Sequence, residues 1–84
     1  MSELDKLRFE INDIDNNIMD LLVKRMSISK KIGEFKKNNN MKVFDPSREK
    51  LLLERLISCN KLEEDFIKDL WDTIMKYSKG IQKN

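Results

Sequence analysis

Histidine is missing from this 84-residue chain. With it go the commonest general base, the commonest metal ligand and every triad built on an imidazole. A single cysteine, Cys59, excludes a disulfide framework and a thiolate metal cluster, and suits a reducing cytosol. Two glycines and one proline leave few breaks, which argues against an all-β architecture with its many turns. No apolar run approaches the ~18 residues of a membrane span, and the opening MSELDKLRFE is polar and acidic, unlike a signal peptide. An excess of one charge is lacking too: 17 Lys+Arg stand against 15 Asp+Glu, a net charge of +2, far from that of a dedicated nucleic-acid binder. The expectation is a cytoplasmic protein that binds neither nucleic acid nor membrane; Met1 suggests a natural start, with a piece cut from a larger fusion left as the alternative. Any catalysis falls to carboxylates, cations, amides and hydroxyls.

Length sets a further bound. The chain reads as one domain over residues 1–84. A domain this short buries only about 60% of its unfolded surface and needs tight packing, a metal, disulfides or a second chain to be secure. The composition speaks against metal and disulfides, which leaves oligomerisation as the natural remedy.

What is present is helical periodicity. Leu4, Leu7, Ile11, Ile14, Ile18, Leu21, Ile28, Ile32 and Phe35 recur at alternating spacings of three and four, a heptad-like seam on a helix over residues 3–37. Ser2 followed by Asp5 gives a capping signature, and Lys30, Lys31, Lys36 and Lys37 favour the far end. Gly33 within this helix marks a close backbone approach. Asn38, Asn39 and Asn40 end it and open a connection to Phe44. A second helix, over 45–59, starts with Asp45 as cap and Pro46 at its first position, and carries Leu52, Leu53, Leu56 and Ile57. A third, over 63–82, bears Phe66, Ile67, Leu70, Trp71, Ile74 and Met75, with acids leading and Lys76, Lys79 and Lys83 trailing. The fold class is all-α: one long and two shorter helices.

The first helix is too long for its own chain. Thirty-odd residues at about 1.5 Å each make a rod of about 50 Å, whereas a compact globule of this length is about 30 Å across. A second copy must cover the seam, most simply in an intertwined twofold dimer.

Polar residues interrupt the apolar stripes. Four residues past Leu21 the seam meets Arg25, and Lys36 lies on the same helix face about 16 Å further along. Charges on a buried stripe are costly unless paired or bound, so two inward-leaning cations suit a small anion. Arg8 lies about 25 Å from Arg25 and about 100° around the helix, so it can reach such a pocket only in a partner chain. On the second helix Asp45, Arg48 and Glu49 share one face; on the third the stripe ends in Ser78 and Gln82. Three antiparallel elements bring these polar ends around one cavity. Each residue also has a plain structural reading. Arg25 suits a register-setting buried ion pair, Lys36 a helix C-terminal cation, Arg48 and Glu49 a solvated helix start, Ser78 and Gln82 a fraying end. Cys59 and Trp71 read as core.

The run Leu7-Arg8-x-x-Ile11-x-x-Ile14-Asp15, then Leu21-Leu22-x-x-Arg25, Ile32-Gly33-x-x-Lys36, Asp45-x-x-Arg48-Glu49 and Ser78-x-x-x-Gln82 resembles the all-helical chorismate mutases. The resemblance implies a cofactor-free, metal-free homodimer that rearranges chorismate to prephenate, on the route to phenylalanine and tyrosine. Arg25 would hold one carboxylate of the dianionic substrate, and Arg8 of the other protomer the second. Lys36 and Gln82 would meet the ether oxygen whose bond breaks, Glu49 and the Asp45 backbone the ring hydroxyl, and Arg48 and Ser78 the wall and carboxylate. Gly80, between Ser78 and Gln82, is expected to loosen the last turn. An isochorismate-pyruvate lyase of the same fold is the alternative, against which the complete Asp45-Arg48-Glu49 set speaks. A non-catalytic helical dimerisation module is the other, against which the intact polar positions speak.

Overall fold

A computed structural model describes residues 2–83; Met1 and Asn84, the two ends of the sequence-based domain bounds, lie outside the described residues. Three helices follow in order: α1 Glu3–Asn38, α2 Pro46–Ser58 and α3 Glu64–Lys83. The described residues contain no strand.

Local chemistry sets the boundaries. The Ser2 hydroxyl accepts the Asp5 N–H at 3.1 Å, so one otherwise unpaired donor of the first turn of α1 is met. At the other end Asn40 takes the left-handed conformation, with φ of 55°. The Met41 N–H then reaches back to the Lys36 carbonyl at 2.8 Å and the Asn40 N–H to that of Lys37 at 3.4 Å. This is a Schellman closure, and asparagine tolerates its positive φ better than most residues. Asp45 stands outside α2 as its cap, its carboxylate accepting the Arg48 N–H at 3.1 Å, and Pro46 takes the first helical position, where no N–H is needed. Asn60, with φ of 53°, turns the chain towards α3.

The helices run up, down and up. Ser29 and Gly33 of α1 lie opposite Ser78 and Gln82 of α3, in step along both helices, so α1 and α3 are parallel. α3 packs on both other helices, while α1 and α2 do not pack on each other. The small residues set the α1–α3 distance. A Cβ on Gly33 would lie 2.6 Å from both the Cα and the carbonyl oxygen of Gln82, so only glycine lets the two backbones come this close.

The molecule is a thin slab, 57 × 26 × 15 Å. Its buried apolar residues are Leu52, Ile67 and Met75. The seam on α1 is bare: Leu4, Leu7, Ile11, Ile14, Ile18 and Leu21 are each about half exposed or more.

Three sequence expectations are corrected here. Cys59 is exposed, not core, because it caps the C-terminus of α2 beyond its buried face, its thiol donating to the Arg55 carbonyl at 3.4 Å. Trp71 is half-buried. Gly80 does not loosen α3, which continues unbroken to Lys83; a Cβ there would meet nothing within 4 Å.

Candidate active site

At the end of the slab where α1 finishes, α2 starts and α3 finishes, the three helices surround an open cavity of about 540 Å³. Arg25, Lys36, Asp45, Arg48, Glu49, Ser78 and Gln82 all line it. Arg8 does not: it is exposed near the start of α1. Leu52, Met75, Ile28, Ile32 and Val43 supply apolar wall.

Lys36 is placed by the turn that follows it. The Schellman closure folds the chain back so that the Val43 carbonyl accepts from the Lys36 ammonium at 2.8 Å. The same ammonium donates to Oε1 of Gln82 at 3.3 Å. An ammonium has three N–H donors, so one remains for a ligand. With its carbonyl oxygen turned to Lys36, Gln82 has its amide N–H groups left to donate. A full charge and a neutral donor thus stand side by side. Asp45 has its carboxylate committed to Arg48 N–H and its carbonyl to Glu49 N–H, at 3.1 Å each, so what it can offer a ligand is its own backbone N–H.

The electrostatics call for an anion. Burial foremost, and the Arg48 guanidinium second, hold the Arg25 pKa below its ordinary value. Arg25 nevertheless stays a cation at any physiological pH. Two like charges facing one cavity destabilise each other until something negative lies between them. The lining residues carry four cations, Arg25, Lys36, Arg48 and Lys79, against two carboxylates, Asp45 and Glu49. The excess of two positive charges matches a dianion. The described residues hold no cluster of His, Cys, Asp or Glu suited to a metal.

Two polar side chains of the lining escaped the sequence reading. Ser29, 4% exposed, hydrogen-bonds the hydroxyl of Ser78, 5% exposed, across the α1–α3 contact. Its signal was its place four residues after Arg25 on the same face. Lys79 reads as one of several trailing cations of α3, but its ammonium lies 3.0 Å from Oε2 of Glu49.

The pattern of the family described as chorismate mutase type II matches residues 7–83 of this chain. The chorismate mutase of Methanocaldococcus jannaschii is 28% identical over 99% of the chain and 87% of its own length. A bifunctional chorismate mutase/prephenate dehydratase of Buchnera aphidicola subsp. Schizaphis graminum is 40% identical over 98% of the chain. The chain spans only about a fifth of such bifunctional relatives, 22% in that case. Among solved structures, a conserved hypothetical protein from Pyrococcus furiosus superposes with a TM-score of 0.82 at 34% identity, over 99% of each chain. The chain belongs to the chorismate mutase type II family.

Proposed function

We propose that this member of the chorismate mutase type II family converts chorismate to prephenate, as a homodimer in which each cavity is completed by Arg8 of the second copy. The observation that carries the reading is the cavity itself: an excess of two positive charges, with the Lys36 ammonium and the Gln82 amide adjacent at one end.

The reaction is a unimolecular pericyclic rearrangement. One carbon–oxygen bond breaks as one carbon–carbon bond forms, and no proton, nucleophile or electron carrier takes part. A protein accelerates such a step in two ways. It holds the flexible dianion in the folded conformer in which the bonding carbons face each other, which recovers orientational entropy in advance. It also places fixed donors where negative charge grows on the ether oxygen. In this chain Arg25 takes one carboxylate, with Arg48 and Ser78 supporting the wall and carboxylate contacts. The partner copy's Arg8 takes the second. Lys36 and Gln82 donate to the ether oxygen. The Glu49 carboxylate and the Asp45 backbone N–H hold the ring hydroxyl.

The bare seam from Leu4 to Leu21 supports the pairing, since an uncovered apolar stripe of this length is costly in water. No helix among the described residues is long and apolar enough to cross a membrane. A cytoplasmic setting accords with the lone thiol and the soluble substrate.

Adding the purified protein to chorismate is expected to remove chorismate absorbance with formation of prephenate, and the same sample on gel filtration is expected to elute as a dimer. A rate no greater than the uncatalysed one would end the enzymatic reading. A monomer with full activity would end the shared-site one.

A further inference from the structure

Three ion pairs occur among the described residues, and they differ in kind. Lys68–Glu64 and Lys76–Asp72 are exposed pairs one turn apart within α3. Lys79–Glu49 instead joins α3 to α2 in the cavity wall, with side chains 27% and 25% exposed. The Lys79 ammonium also lies 4.6 Å from the centre of the Phe44 ring, in the segment before α2. A cation held by a carboxylate on one side and an aromatic face on another is fixed in place. Oε2 of Glu49 is occupied by it, which leaves Oε1 for a ligand.

We infer that Lys79 determines which ring substituent this cavity accepts, by neutralising Glu49 so that the subsite takes an uncharged hydroxyl and rejects an ammonium. The inference rests on the proposed function, in which Glu49 meets the ring hydroxyl. A free carboxylate is a poor discriminator in favour of a hydroxyl, because its charge-assisted bond to an ammonium is roughly twice as strong as a neutral one. Pairing with Lys79 reverses the preference. Any ammonium bonded to Oε1 would sit no more than about 8 Å from the Lys79 charge, where like charges still repel in a partly buried site. A hydroxyl meets no such repulsion. Selection here is therefore achieved by an element that disfavours the wrong substrate.

A residue that merely stitches α2 to α3 would behave differently, and the ratio of two substrates tells the cases apart. The kcat/KM values for chorismate and for its amino analogue, with an amine in place of the ring hydroxyl, are measured on the intact protein, Lys79→Met and Lys79→Arg. The wild type is expected to favour the hydroxyl substrate. Lys79→Met is expected to shift the ratio about tenfold or more towards the amine. Lys79→Arg keeps the charge and is expected to keep the wild-type ratio. In a Glu49→Gln background, Lys79→Met is expected to leave the ratio unmoved, since no carboxylate remains to attract an ammonium. Equal losses on both substrates, or a ratio that stays within about twofold of wild type in Lys79→Met, overturn the inference. Lys79→Gln carries the same expectation should Lys79→Met fail to fold. A wild type that turns over neither substrate removes the proposed function and this inference together; one that turns over chorismate with an unmoved ratio removes the inference alone.

Discussion

Gln82 is held by two neighbours that come from one helix: Gly33 admits its backbone, and Lys36 takes its side-chain oxygen. An amide in this position needs no proton from solution to act as a donor, and the chain contains no histidine to titrate near neutrality. The expected rate profile is therefore flat from about pH 6 to 8. Gln82→Glu is expected to change this. Only the protonated acid donates, while the carboxylate form repels the charge growing on the ether oxygen. Lys36 beside it favours the ionised form and pushes the requirement further towards acid. The variant's kcat/KM for chorismate should thus rise as pH falls, by about tenfold per unit above its own midpoint. A flat profile in the variant would show that the side chain donates nothing to the reaction. Residues such as Gln82 and Arg25 were legible in the sequence because a polar group on an apolar stripe is conspicuous. Ser29 and Lys79 were not. A small polar residue and a cation near a helix C-terminus each have an ordinary solvated reading, and only the register of α3 against its neighbours puts them opposite Ser78 and Glu49.

Helices, unlike their contacts, can be read from spacing. The three-and-four recurrence from Leu4 to Phe35 specifies α1, Pro46 after Asp45 specifies where α2 starts, and both are local chemistry. Gly33 announces a close approach but not what approaches, since Gln82 lies 49 residues further along the chain. The two glycines make a paired test at this scale. Gly33→Ala forces α3 away from α1 at Gln82, because the obstruction is backbone and cannot swing aside. It is expected to lower the thermal midpoint and to cut kcat by tenfold or more, an effect of about 1.4 kcal/mol on the barrier. Gly80→Ala meets open space inside a regular helix and gains propensity. It is expected to stabilise by up to about 1 kcal/mol, or about 4–8 °C in a domain of this size, with activity retained. Calorimetry and turnover on both variants check the pair. Equal responses would show that the α1–α3 distance does not govern the site.

At the scale of the whole molecule, the proposed site draws on a second copy. Arg8 sits at the opposite end of α1 from the cavity, on a helix whose first half has no cover. If the proposed pairing is correct, a protein with Arg8→Ala and one with Lys36→Ala should each be inactive, yet mixing them with subunit exchange should restore activity. A mixed dimer has one cavity with both defects and one with neither, so a fully exchanged equimolar mixture should recover about a quarter of wild-type sites. No recovery after exchange, verified by mass, would place Arg8 outside the partner's cavity. In the sequence, the proposed assembly rests on a mismatch of lengths, a helix read over residues 3–37 against a short chain. The thin interior has one more consequence. With Leu52, Ile67 and Met75 as its buried apolar side chains, a lone chain has little to keep it folded. In the proposed dimer, folding and association become a single equilibrium governed by mass action, so dilution is expected to act as a denaturant and the melting midpoint to climb with protein concentration.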